Sequence, residues 1–367
     1  MTELPIRQDL AGLSPYGAPQ LAVPVRLNVN ENPYAPSDAL VEAMAHAVRG
    51  VATGLNRYPD RDAIHLREAL AEFISAESTV AVTSANVWPA NGSNEVMLQL
   101  LQLFGGPGRK VVTFTPTYSM YADYCRDTFT EFFTVARNED FSVDREMIDQ
   151  ALRENPDIMI LTSPNNPTGT FLPIEVVDYV CENFSGIVII DEAYAEFRSP
   201  GTPSAVSRIA VHPRLVVTRT MSKAFSCAGL RLGYAVAGKD VIDAIQLVRL
   251  PYHLSAVTQA VACAAVSFSE ELLGQVELIR NEREELRGWM IAQGFDVAPS
   301  EANFLMFGQF VDRDVIWAQL LERGVLIRQV GPSGWLRVSI GTPEENTIFK
   351  SALLDIVGSG INGTERK

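Results

Sequence analysis

The sequence predicts an α/β fold: a large domain built on a mostly parallel sheet covered by helices, then a smaller α+β domain. Three observations predict it. Short β-rich runs at 110–115, 131–135, 157–163, 186–191, 214–219 and 232–237 alternate with helical runs. The run GIVIIDEAY is apolar throughout until it ends in Asp191 and Glu192, as in a strand buried on both faces. Beyond about residue 255 the pattern changes to a long, broken helical stretch, 256–293, followed by strand, helix, strand and helix. A chain of 367 residues also exceeds what one hydrophobic core normally serves. The expected division is an N-terminal arm at 1–36, a large domain at 37–255 and a small domain at 256–367.

Taken in order, residues 1–36 are rich in proline and asparagine around one extended piece, VRLNVN, so they read as an arm packed on the body. Helices are predicted at 37–50, with Leu40, Met44, Ala47 and Val48 on one stripe, and at 62–76, with Ile64, Leu66, Leu70 and Phe73. LNRYPD between them is a turn. WPANGSNEVMLQLLQLFG runs from a turn into an amphipathic helix with Val96, Leu100 and Leu103 aligned. No repeat or Gly/Ser linker separates the two domains, so a shared helix is the expected boundary.

Composition excludes several classes of function. A formal charge of −14 repels nucleic acid and anionic membranes, so an anionic substrate must meet a locally basic pocket. Apolar runs such as 158–161 fall far short of the roughly 20 residues a membrane span needs. MTELPIRQDL lacks a basic segment followed by an apolar one, so no secretory signal is expected and the cytoplasm is the expected location. Cys125, Cys181, Cys227 and Cys263 have no paired spacing, which suits reduced thiols and gives no sign of a disulfide or a metal site.

The chemistry centres on TRTMSKAFSCAGLRLGY, residues 218–234. It follows the strand at 214–219, so Lys223 falls past a strand's C-terminal end, where open α/β sheets bind ligands. Thr220, Ser222 and Arg231 around it suit a phosphate. An amine nucleophile beside a phosphate clamp is what pyridoxal 5'-phosphate (PLP) chemistry requires. Gly92, Ser93 and Asn94 open a helix whose free N–H groups form a second anion site. Tyr118 of PTYSMY offers a ring to stack on a pyridine, and SPNNPTG is a rigid turn aiming Asn166 outward. Asp191, ending a buried strand, needs a cationic partner, and a protonated pyridine nitrogen is one. Tyr194 stands close enough to reach the cofactor's phenolate oxygen from the other side.

Together these residues resemble the fold type I PLP aminotransferases. SPNNPTG, DEAYAEF and SKAF…AGLRLGY resemble the histidinol-phosphate aminotransferase branch, as do LNVNENPYAPS, NRYPD, ANGSNE, PYHLSA, SEANF, GVLIR and LRVSIG. The resemblance implies a seven-stranded sheet in the large domain and a homodimer. Lys223 would carry the cofactor and the reacting proton, Asp191 would pair with the ring nitrogen, and Asn166 and Tyr194 would bind the phenolate oxygen. Tyr118 would stack on the ring. Ser93, Asn94, Thr220, Ser222 and Arg231 would surround the phosphate, joined by Tyr58 from a second subunit. Arg328 and Arg337 would hold the substrate's anionic end, with Tyr16 and Asn32 closing over it. The alternation in WLRVSIG puts Arg337 and Ser339 on one face of a half-buried strand.

The implied reaction is transamination of histidinol phosphate with 2-oxoglutarate to imidazole-acetol phosphate and glutamate, in histidine biosynthesis. An aromatic amino acid aminotransferase of the same fold is the nearest alternative, and a phosphothreonine decarboxylase-like enzyme the next. A PLP-sensing regulator would need a basic DNA-binding segment, and a NAD-dependent dehydrogenase a G-x-G-x-x-G after its first strand; the chain has neither. It departs from the family at Asn94, where an aspartate is usual, and at Ser226 and Cys227, where Gly-Leu is common. Cys227 reads as a small buried filler. His253 in PYHL has no assigned role.

Overall fold

The computed structural model describes residues 4–15 and 17–358; Tyr16 lies outside them. The arm contributes a short strand, β1 (Val25–Arg26), and helix α1 (Asp38–Ala52) follows. The central sheet then comprises β2 (Val87–Ala90), β3 (Lys110–Thr115), β4 (Glu131–Ala136), β5 (Ile158–Thr162), β6 (Ile187–Asp191), β7 (Leu215–Thr220) and β8 (Gly233–Ala237). Its order is β2-β8-β7-β6-β5-β3-β4, parallel except that β8 runs against both neighbours. Six of these strands coincide with the predicted runs. The seventh, β2, escapes because Pro89 interrupts it. Pro89 has no N–H for a ladder, and β2 tolerates it as the edge strand, paired only with β8.

Helices α2 (Ile64–Ser78), α3 (Ser93–Phe104), α4 (Met120–Asp127), α5 (Arg145–Leu152), α6 (Ile174–Asn183) and α7 (Lys239–Ile245) cover the sheet. Alternate residues of each strand serve two cores. Ile189 and Val216 pack with Met97 and Leu100 of α3, whereas Val188, Ile190 and Val217 pack with Leu70 of α2 and Val177 of α6. Ser37, Asp144 and Ser255 cap their helices by accepting from Leu40 N, Met147 N and Thr258 N. Of the predicted α2 stripe, Leu66, Leu70 and Phe73 are buried but Ile64 is exposed.

The C-terminal part begins with α8 (Ala256–Ser267) and α9 (Ser269–Ala292), two helices bent by 70° at Phe268 where a single broken stretch was predicted. It continues with β9 (Asp296–Val297), β10 (Phe304–Gly308), α10 (Arg313–Glu322), β11 (Val325–Leu326), β12 (Leu336–Ser339) and α11 (Pro343–Gly358). β12, β10 and β9 form an antiparallel sheet, and β1 of the arm pairs in parallel with β11. Strand β12 is buried at all four residues, not half-buried as the alternation suggests, because the arm closes its polar face. Ser339 N donates to Leu27 O, and Ser339 Oγ accepts from Asn30 N. Among the described residues no single helix is long and apolar enough to cross a membrane.

Candidate active site

Parallel strands place their C-terminal ends on one edge of the sheet, and the register sets Thr162, Asp191 and Thr218 side by side across β5, β6 and β7. Above that edge lies a cleft of about 620 Å³. Twelve of the residues singled out in the sequence line it: Ser93, Asn94, Tyr118, Asn166, Asp191, Tyr194, Thr220, Ser222, Lys223, Arg231, Arg328 and Arg337.

Lys223 lies three residues past the end of β7, and Met221 between them is tied back by its N–H to Leu232 O. Its Nζ donates to Val29 O of the arm at 2.8 Å. Burial, and secondarily the nearby Arg337 guanidinium, lower its pKa to about 8, so a neutral amine is accessible near neutral pH. Around it Thr220 Oγ1 donates to Ser222 Oγ (3.0 Å), which also accepts from Arg231 Nη1 (3.2 Å). The other wall of this subsite is the start of α3. Gly92 adopts φ 82°, and α3 has no side-chain cap, which leaves its first N–H groups for an anion. A Cβ at Gly92 would stand 2.7 Å from Arg231 Nη2, so only glycine leaves the cradle open.

The two carboxylates ending β6 have different surroundings. Glu192 points back into the protein, against Arg219 Nη2 (2.8 Å) and Arg198 Nη1 (3.3 Å). Burial alone would raise its pKa, but these guanidinium groups hold it below the usual range. Asp191 is also buried, yet among the described residues it has no cationic partner. It accepts from Tyr121 Oη (2.6 Å), Thr218 Oγ1 (3.2 Å) and Ala193 N (3.3 Å). Burial pushes its pKa up, and the Tyr121 and Thr218 hydroxyls pull it back.

Asn165 builds the turn after β5, donating to Pro116 O and Thr168 Oγ1. That leaves Asn166 at the cleft, where its Oδ1 accepts from Arg337 Nη1. Arg337 Nη2 donates to Asn28 O (2.9 Å), and its guanidinium lies over the Phe304 ring. Backbone bonds pair Arg337 with Arg328, so two guanidinium groups share one rim of the cleft. Tyr194 Oη accepts from Asn30 Nδ2 (2.9 Å), and the Tyr118 ring meets Tyr121 edge to face.

Two singled-out residues that are described, Asn32 and Tyr58, do not line this cleft. Tyr16 is outside the described residues. Asn32 is turned away from the lining, donating to Ala224 O and Gln275 Oε1; the arm presents Asn28, Val29 and Asn30 instead. Tyr58 is 79% exposed and stacks on Tyr252. Sequence reading missed Asn30, Tyr121 and Arg313, a fourth guanidinium at the cleft beside Arg231, Arg328 and Arg337, whose Nη1 donates to the carbonyls of Gly331, Pro332 and Trp335. Tyr121 had a signal, its place in PTYSMY; Asn30 and Arg313 had none. His253 stacks on Trp88 and bonds Pro89 O, and Cys227 is a buried filler whose thiol pKa burial raises to about 11.

Residues 23–353 match the family model for aminotransferase class I and II. A histidinol-phosphate aminotransferase of Thermobifida fusca is 54% identical over 97% of this chain and 96% of its own. One from Corynebacterium glutamicum is 50% identical, over 97% and 98%. Among solved structures, a Sinorhizobium meliloti histidinol-phosphate aminotransferase in complex with PLP superposes with TM-score 0.82, covering 92% of each chain. At 24% identity it speaks to the fold. A Thermus thermophilus aspartate aminotransferase variant is 25% identical, with TM-score 0.80 over 97% of this chain and 99% of its own. A chain whose parallel strands bring lysine, aspartate and an anion cradle to one edge, and which matches such relatives along nearly its whole length, belongs to the class I and II aminotransferases, in their histidinol-phosphate aminotransferase branch.

Proposed function

We propose that this cleft binds PLP on Lys223 and transaminates histidinol phosphate with 2-oxoglutarate. The observation that carries the reading is one cleft holding a lysine of lowered pKa, a buried carboxylate with no cationic partner among the described residues, and two arginines paired through their backbones. The cofactor fits what is present. Asp191 would accept the ring N–H, and the α3 N-terminus with Thr220, Ser222 and Arg231 would hold the phosphate in the cradle that Gly92 keeps open. Asn166 and Tyr194 would hold the ring oxygen and Tyr118 would cover the ring. PLP supplies an electron sink for a substrate that loses its Cα proton.

The chain's own residues do the rest. Lys223 Nζ takes and returns that proton, and its lowered pKa keeps a neutral fraction for the task. Arg328 and Arg337 orient the substrate by its anionic end, presenting planar donor forks that suit a phosphate and a carboxylate alike. This explains how one site can serve histidinol phosphate in one half-reaction and glutamate in the other.

Arg337 also holds Asn166 and Asn28, so Arg328 gives the cleaner test. A lost hydrogen bond to a charged partner is worth about 1.5–3 kcal/mol, or roughly ten- to more than a hundredfold. Arg328→Ala is expected to lose that much in kcat/KM on histidinol phosphate while changing little on histidinol. Equal losses on both substrates would remove the phosphate assignment and leave the aromatic aminotransferase reading.

We further infer a homodimer in the cytoplasm. The four cysteines are free thiols, as a reducing compartment favours. Arg249 ties the 247–252 segment to Arg61 O and Asp62, and this surface exposes Leu55, Tyr58, Ile64, Leu247 and Leu250. Several large apolar side chains exposed on neighbouring segments favour an interface there. Tyr58 on it would reach a second copy's phosphate subsite, as the family resemblance implies. Tyr58→Phe is expected to weaken PLP retention with the fold intact, checked by dialysis and absorbance; a fully active monomer on sedimentation would exclude the shared site.

A further inference from the structure

Tyr121 is a buried group beside the cleft that the proposed mechanism does not use. It lies in the first turn of α4, completely buried, with its ring edge to face against Tyr118. Its hydroxyl stands 2.6 Å from Asp191 Oδ2 and 2.8 Å from Thr162 Oγ1. A phenol has one proton, and a carboxylate takes it in preference to a neutral hydroxyl, so Tyr121 donates to Asp191 and Thr162 donates to Tyr121. Two hydroxyls in series thus point at one carboxylate oxygen, each polarising the next. On the other oxygen, Thr218 Oγ1 and Ala193 N sit farther away, at 3.2 and 3.3 Å.

We propose that Tyr121 is a positioning residue that acts through Asp191, fixing the carboxylate's Oδ2 edge and keeping it an ionised acceptor for the ring N–H of PLP. The inference rests on the reading of the cleft as a PLP site. The other titratable group beside Asp191 is Glu192, which is turned away and paired with Arg198 and Arg219. Among the described residues no cation pairs with Asp191 and Glu192 adds to the cost of its burial, so the Tyr121 and Thr218 hydroxyls and Ala193 N are what stabilise its ionised form. A phenol suits this task better than a cation, because a lysine or arginine in its place would compete with the cofactor's own N–H.

The test is a binding comparison that needs no turnover. PLP and 1-deaza-PLP, which carries C–H in place of the ring nitrogen, are titrated into cofactor-free protein. Wild type is expected to prefer PLP. Tyr121→Phe is expected to lose PLP affinity on the order of tenfold, as for one hydrogen bond to a charged group, while its affinity for 1-deaza-PLP stays within about twofold of wild type. Thr162→Val removes the upstream donor without touching Asp191 and is expected to show the same pattern more weakly, so the test survives poor folding of the tyrosine variant. Kinetics add a second readout: kcat should fall in Tyr121→Phe with KM for the amino donor nearly unchanged. Equal losses for both cofactors would mean that Tyr121 only packs the site, and an unchanged PLP affinity would also overturn the proposal. A wild type that does not distinguish the two cofactors would instead overturn the pairing of Asp191 with the ring nitrogen.

Discussion

Lys223→Ala is expected to bind PLP without a covalent link and to show no measurable turnover. The lysine is asked for two things at once: it anchors the cofactor and it moves the Cα proton. A positioned acid–base group alone contributes about 10²–10⁴ in rate, and among the described residues no other amine lines the cleft. Borohydride reduction of wild type followed by peptide mapping should label Lys223 only; a label on another lysine would refute the assignment. The lowered pKa adds a thermodynamic signature in the cofactor-free protein. Below about 8 the folded state carries a proton on an amine that burial and Arg337 disfavour, a cost absent from the unfolded chain. The cost fades as pH rises from about 8 to the ordinary lysine value of 10.5. Wild type should therefore gain stability relative to Lys223→Met across that window, as followed by thermal melts, and parallel curves would show an ordinary lysine.

Asp191→Asn is expected to fold and to bind PLP weakly, with kcat reduced by on the order of 10²–10³, the usual effect of removing one preorganised electrostatic group. An amide has no charge to hold a proton on the ring nitrogen, and the electron sink weakens accordingly. The amide also mismatches its cradle, because Tyr121, Thr218 and Ala193 all donate and one of them would meet an NH2. A steady-state kcat within about threefold of wild type, well below that range, would remove Asp191 from the mechanism.

The parts of this site that follow strands were legible in the sequence, and for a physical reason. A parallel sheet must bury apolar runs on both faces, so a polar residue at or just past the end of such a run marks the sheet's ligand edge; Asp191, Asn166 and Lys223 were singled out that way, and all three line the cleft. What stayed hidden depends on tertiary proximity. Glu192 is next to Asp191 in sequence, yet strand alternation sends it to Arg219, and nothing local says which of the two faces the cleft. Asn30 reaches Tyr194 across 164 positions of sequence, and Arg313 reaches its three carbonyls only because the loop before β12 lies against the start of α10. Pro89 concealed β2 because an edge strand obeys weaker rules than a central one.

The central claim is a PLP transaminase whose arginine rim selects a phosphorylated amine, and a single half-reaction tests it most directly. Holoenzyme is mixed with histidinol phosphate and no oxo acid, and the cofactor's absorbance is followed in time, with glutamate, histidinol and phenylalanine run alongside. Histidinol phosphate and glutamate should each convert the cofactor to its amine form. Histidinol should be at least about tenfold slower for want of the phosphate's contacts, and phenylalanine should also lag. No spectral change with histidinol phosphate, or a faster one with phenylalanine, would contradict the account.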